Sequence, residues 1–439
     1  MMTDLEPILT AARRAGAQQA EVFRVQTEET PVQFEANRLK ELNSRQTSGV
    51  ALRVIVDGRI GFASSTKPGD VAEVVAAAME TASFGPEAHF DFPRTSEAPP
   101  VEVFDAAVQA LPIDDLIQTG QTLIDRVRAA EPELLCDASV RRSVSTVTLA
   151  NSNGGAFTYR STALSLWLHG TLIRGTDMLF VGDGDMSCTQ ALELKRIENT
   201  IVRQLEYSRR NAEMKTGEML VLFTSIGVAD ALASPLTIAF SGRMVHQGQS
   251  PLAGCLGKEM YDRRFSMWDD ATLALRPAAR PFDDEGVPSR RTPMVERGIV
   301  RSFLYDLQTA GQAKAESTGS AERALTSQPS ISTSCLLIET GDTTFEEMVR
   351  GVKEGLVVEE LMGAGQGNVM GGDFSGNVLL GYRIEQGEIV GRVKDTIVAG
   401  NVHEDLKRLV AIGREGRWVG GSVFAPPLLF ERLTVSAKG

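Results

Sequence analysis

Two stretches on either side of one short turn constrain this chain most. From Ala138 to Leu149, and again from Ala156 to Ile173, apolar and polar residues alternate, with Asn151-Ser152-Asn153-Gly154-Gly155 between them. Side chains that alternate with period two over a dozen residues line opposite faces of a half-buried strand, and an Asn/Gly-rich link suits a tight reversal. A pair of long antiparallel strands is the expectation. Shorter alternating runs precede them: Glu21 to Val25, Pro31 to Glu35, and Gly49 to Val56, the last joined through Asp57-Gly58 to Arg59-Ile60-Gly61-Phe62-Ala63 as a hairpin.

Helical periods stand between these strands. Leu5, Ile8, Leu9 and Ala12 share one face of a helix from Asp4 to about Ala15, stopped by Gly16. Asp70 is placed to cap a second helix from Val71 to about Ser83, and a third runs from Ile113 or Asp114 to about Ala130. The proline-bearing stretch from His89 to Val103 reads as a linker or excursion, and Leu192 to Lys215 as a charged helix. The N-terminal part, residues 1–215, is therefore expected to be α+β, an antiparallel sheet with helices on one face. From residue 216 to 439 the chain shifts to strands, glycines and turns, a β-rich unit that is barrel-like or a sandwich, with few helices; one of these is alanine-rich, from about Gly227 to Gly242.

Composition narrows the function classes. The chain has 439 residues with 42% hydrophobic and 23% charged, enough apolar mass for folded cores. A net charge of -12 spread along the chain, with 6% aromatic residues, argues against a nucleic-acid footprint. Four scattered cysteines form neither a CxxC nor a disulfide framework. The acidic start lacks a signal-peptide pattern, and no run reaches the ~18 apolar residues of a membrane helix. A cytoplasmic protein is expected, with no membrane and no direct nucleic-acid partner.

Two tracts in the second half carry identity. The first runs from Phe282 to Asp306 and reads as a turn, an extended segment, an Arg297-Gly298 turn and a returning strand with Val300, Phe303 and Tyr305. The second, from Gly355 to Asn377, is dense in glycine, with Gly363, Gly365, Gly367, Gly371 and Gly372, and leads on to Lys394-Asp395-Thr396-Ile397-Val398-Ala399-Gly400-Asn401. A phosphate loop is the rival reading of that glycine spacing. It fails because no lysine followed by serine or threonine completes it and the strand-loop-helix order of a dinucleotide fold is missing.

The order and wording of these tracts resemble the TldD/PmbA family, and more closely its PmbA branch, also called TldE. The resemblance runs from the N-terminal helix to the Ala399-Gly400-Asn401 block. It implies a two-domain subunit that pairs with a homologous subunit to enclose a proteolytic chamber. TldD-type subunits carry a His-Glu-x-x-x-His helix whose histidines bind zinc and whose glutamate is the general base, completed by a later cysteine. Aligning the strand Leu220 to Phe223 and the helix after it puts Ser234-Pro235-Leu236-Thr237-Ile238-Ala239 there, so none of the three side chains is kept. No cysteine follows Cys335, and Arg417 to Ser422 offers no ligand. The resemblance therefore implies no catalytic residue and no metal in this chain, with zinc in a TldD-type partner and unfolded peptide as substrate. The glycine-lined edge of Gly363, Gly365, Gly367, Gly371 and Gly372 is expected to bind that peptide as an added strand.

Other candidates yield bland readings. The histidines, His89, His169, His246 and His403, lie far apart, and His246 has no second histidine at ligand spacing. Cys255 and Cys335 are read as buried structural thiols, Ser234 before a proline is no nucleophile elbow, and the Asp269-Asp270 and Asp283-Asp284-Glu285 clusters are read as solvated turns. Two alternatives stay open: a non-enzymatic homodimer that binds peptide or regulates, in line with the family's association with DNA gyrase modulation, and thiol-dependent hydrolysis through Cys255 or Cys335.

Overall fold

The computed structural model describes residues 5–67, 69–365 and 367–438. Its N-terminal sheet is built from β1 (Gln19–Glu35), β2 (Arg38–Leu42), β3 (Arg45–Val56), β4 (Arg59–Ser65), β5 (Leu135–Asn151), β6 (Ala156–Arg174) and β7 (Asp177–Ser187). The order is β4-β3-β1-β5-β6-β7 with β2 beside the far half of β1, and every pair is antiparallel. The long pair expected around Asn151 is β5 and β6, in unbroken register from Ala150 opposite Ala156 to Leu135 opposite Thr171. The runs around Val22 and Val32 are one strand instead of two, because Pro31 lies opposite Arg141 without breaking the register with β5.

Side-chain alternation separates the sheet's faces. Val22, Leu52 and Val54 pack beneath the helices Glu6–Arg14 and Val71–Ala82. Val32, Phe34, Val140 and Leu166 pack beneath Ile113–Ala130 and Leu194–Tyr207. Val22, Val32 and Phe34 are even steps apart on β1, so all four helices lie on one face, as expected. Two details differ: Asp70 precedes its helix without a side-chain capping bond among the described residues, and the helix expected to reach Lys215 ends at Tyr207. The expected helix start at Asp4 lies outside the described residues.

The second half contains a closed barrel of β8 (Gly217–Phe223), β9 (Glu354–Met362), β10 (Asp373–Glu385), β11 (Thr396–Asn401) and β12 (Leu428–Ala437). Strand β8 pairs in parallel with β9 and antiparallel with β12; β12 pairs with β11, β11 with β10, and β10 returns to β9. Alternation again sorts residues. Val221, Phe223, Leu356 and Val358 share an interior core with Phe374, Val398 and Val435. Leu222, Val357 and Tyr382 point outward and pack with Leu166 and Ile201 of the N-terminal half. A smaller six-stranded sheet lies beside the barrel and includes Met267–Asp270 and Arg291–Glu296. The expected Arg297-Gly298 turn is present, both residues left-handed at φ 50° and 75°, but the returning strand is only Ile299–Val300. No helix among the described residues is long and apolar enough to cross a membrane.

Candidate functional site

The alanine-rich helix of the second half starts at Ser225 and ends at Ala239, earlier at both ends than expected, and it is broken. It is α-helical over Ser225–Val228, π-helical over Ala229–Ala233 and α-helical again over Ser234–Ala239. Pro235 explains the break: a proline inside a helix has no N–H for the carbonyl four residues back, and its ring crowds that carbonyl. Widening one turn accommodates it. Val228, Leu232, Leu236 and Ala239 are buried in the same core as the barrel interior. Gly227 allows the approach, since a β-carbon there would stand 2.7 Å from the Val358 carbonyl oxygen. Asp230, in the widened turn, accepts a hydrogen bond from the Leu361 N–H at 3.1 Å and ties the helix to β9. Burial lifts its carboxyl to about 6, against that hydrogen bond.

Ser234 is exposed, while Pro235 and Ala239 face the core. The glycine tract adjoins this helix, with the 3-10 turn Val369–Gly371 packed against Ser234–Ala239. Two of the five glycines are used by the protein itself. A β-carbon on Gly371 would lie 2.3 Å from the Asn368 side chain that caps the turn. Gly372, at φ 92°, lies against His403, where a β-carbon would come within 2.4 Å of the ring. Asn401 secures this corner, its amide donating to the Gly371 carbonyl at 2.9 Å and to Asp373 at 2.7 Å. Gly365 has open space where a side chain would be, while Gly363 and Gly367 have positive φ, 76° and 145°, and a β-carbon on Gly367 would meet the Asp373 side chain at 4.0 Å.

His403 was not singled out by spacing. It is buried, its Nδ1 lies 2.9 Å from the Tyr261 hydroxyl, and burial lowers it to about 4, so it stays neutral. His89, His169 and His246 are exposed, His246 at the end of the short helix Gly242–His246. Cys335 is buried, and burial pushes its thiol up to about 12. Cys255, expected to be buried, is only partly so. Among the described residues no three His, Cys, Asp or Glu side chains group so as to hold a metal.

The acidic clusters correct the sequence reading: Asp269, Asp270, Asp283, Asp284 and Glu285 are buried, not solvated. They lie where the second half meets the helix-free face of the N-terminal sheet. Glu21 and Arg53, opposite one another on β1 and β3, pair at 3.0 Å; Arg53 reaches Glu285 at 2.6 Å, and Arg323 reaches Glu21 at 2.9 Å while stacked on Phe23. Burial raises the carboxyls of Asp283 and Glu285, and lifts Asp269 to about 7. Alternation on the strands indicates only that Glu21 and Arg53 share a face, and the partners lie more than two hundred residues away. Beside this network a cleft of about 520 Å³ opens between the two halves, lined by Phe23, Val147, Tyr159, Arg280, Arg323 and Ser334 among others.

Comparison with known proteins agrees with this architecture. The PmbA/TldA metallopeptidase C-terminal domain matches residues 216–437, and the PmbA/TldA metallopeptidase domain 1 matches residues 20–82. The metalloprotease PmbA of Escherichia coli O157:H7 is 24% identical over 93% of this chain and 91% of its own. The crystal structure of TldE from Thermococcus kodakarensis superposes with a TM-score of 0.88 at 22% identity over 99% of this chain and 100% of that one. A candidate DNA gyrase modulator from Thermotoga maritima gives 0.89 at 21% identity over 99% of both. At these identities the structural likeness speaks for the fold.

Proposed function

The chain belongs to the PmbA/TldD metallopeptidase family, and from that premise we propose that it is a TldE-type subunit, one that completes the enclosure and holds unfolded peptide while a TldD-type partner carries the zinc. The observation that carries this reading is the broken helix. At the place the family resemblance assigns to the metal helix stand Ser234, Pro235 and Ala239, one exposed hydroxyl and two side chains without a ligand atom. These residues do not fit zinc. Zinc in a peptidase polarises the carbonyl and supplies a nucleophilic water near neutral pH, and neither His403, turned to Tyr261, nor Asp230, bound to the Leu361 amide, lies free to replace it.

Substrate contact is assigned to the tract containing Gly363, Gly365, Gly367, Gly371 and Gly372. Gly363, Gly365 and Gly367 offer backbone to an extended peptide, and Gly371 and Gly372 hold the turn against the broken helix. Main-chain hydrogen bonding of this kind reads no side chains, which suits unfolded peptides of mixed sequence. Four unpaired thiols are consistent with a reducing, cytoplasmic setting.

Co-purification with a TldD-type subunit from the same organism tests the proposal. A stoichiometric complex should form and cleave unfolded peptide faster than the TldD-type subunit alone, whereas this chain alone should be inert with or without added zinc. Zinc-dependent hydrolysis by the isolated chain would overturn the reading. So would failure to pair, and a stable homodimer that binds peptide would then favour the non-enzymatic alternative.

A further inference from the structure

We propose that a second cavity, of about 250 Å³, lined by Arg196, Arg203, Arg414, Arg417, Ser225 and Glu359 among others, is a binding site for an oxyanion, a phosphate or a carboxylate group. It lies between the helix Leu194–Tyr207, the start of the broken helix and the Gly413–Arg417 loop, and its lining includes none of Gly363, Gly365, Gly367, Gly371 and Gly372. Guanidinium donors outnumber acceptors there. One carboxylate, Asp183, is shared by two arginines, at 2.7 Å from Arg196 and 2.5 Å from Arg417; Arg196 also donates to the Gly184 carbonyl at 3.0 Å and lies 3.6 Å from Asp185. Among the described residues Arg414 donates to one carbonyl alone, that of Asp342, at 2.7 and 3.0 Å. The carboxylate oxygen paired with Arg203, on Glu359, is 3.9 Å away, beyond hydrogen-bond reach. The Nε of Arg417 is buried without a hydrogen-bond partner among the described residues.

Two further features favour an anion. Ser225 and Ile226 form part of the wall, and they begin the broken helix, the end at which backbone N–H groups lack intrahelical acceptors. Of the lining carboxylates, Glu415 is exposed and makes no hydrogen bond among those described, while burial raises that of Glu359 and so weakens its claim on the arginines. A planar guanidinium fork matches phosphate and carboxylate oxygens, and four of them around one small cavity stand out in a chain of net charge -12.

The test uses the full chain and thermal melts at fixed ionic strength. The probes are inorganic phosphate and an N-acetyl dipeptide, the latter as free acid and as amide. A saturable rise in Tm with phosphate identifies a phosphate site, and a rise with the acid but not the amide identifies a peptide carboxylate site. Arg203→Ala and Arg414→Ala should each weaken the effective probe at least tenfold, while Arg263→Ala, an exposed arginine that does not line the cavity, should not. If neither probe exceeds sodium chloride, or if the two cavity variants respond as the parent does, the proposal fails. These outcomes do not depend on pairing with a TldD-type subunit, so the two readings stand or fall separately.

Discussion

Replacing Asp230 by asparagine probes the joint between the broken helix and the barrel. The carboxyl has an ordinary value of 3.8 and is raised to about 6 in the folded chain, chiefly by burial. A raised carboxyl binds more protons in the folded than in the unfolded state, so its contribution is most favourable at low pH and is lost as pH rises toward the folded value. With these two values the cost of ionising Asp230 in place is about 0.5 kcal/mol at pH 4, about 1.5 at pH 5 and about 3 at pH 8. An asparagine side chain would keep an acceptor for the Leu361 N–H without the charge, and the strength of the bond to the carboxylate is already contained in the folded value of about 6. Asp230→Asn should therefore be near neutral at pH 4, stabilising by about 1.5 kcal/mol at pH 5 and by about 3 kcal/mol at pH 8. Urea unfolding of both proteins from pH 4 to 8 measures this. Parallel stability curves would refute the argument, because a buried, titrating Asp230 requires them to diverge.

Arg53→Ala would leave Glu21 and Glu285 buried beside one another, and should cost about 3 to 5 kcal/mol in the same assay; because burial already raises Glu285, the deficit should be smaller at pH 5 than at pH 8. Gly372→Ala would put a side chain at φ 92° and against the His403 ring, and should lower stability by at least about 2 kcal/mol, whereas Gly365→Ala, facing open space, should change it by less than about 1 kcal/mol. Cys255→Ala combined with Cys335→Ala should leave the peptidase activity of a complex with a TldD-type subunit unchanged; loss of activity in a folded double variant would revive thiol chemistry.

Much of the N-terminal sheet could be read in advance because its information is local: alternation from Ala138 to Leu149 specifies both a strand and its faces. The broken helix was legible in position but not in form, though Pro235 held the signal. The acidic clusters were misread for a physical reason. An Asp-Asp-Glu turn looks solvated unless its cations are known, and Arg53 and Arg323 come from distant parts of the sequence. The cavity at Arg203 and Arg414 was invisible for the same reason, since arginines from both halves meet only in the fold. His403 escaped notice because its meaning rests on Tyr261 and Gly372, neither near it in sequence.

The closure of the barrel has a consequence for biosynthesis. Strand β8 lies between β9 and β12, and β12 begins about 210 residues downstream, so at about 5 to 20 residues per second β8 waits roughly 10 to 40 seconds on the ribosome before β12 emerges. The N-terminal sheet, complete by Ser187, can fold during that interval with Glu21 and Arg53 still facing water. The nascent chain thus has a period in which one half can form while β8 lacks its β12 neighbour and the barrel cannot close. During that period a chaperone, or a neighbouring nascent chain of the same family, has its best access to β8.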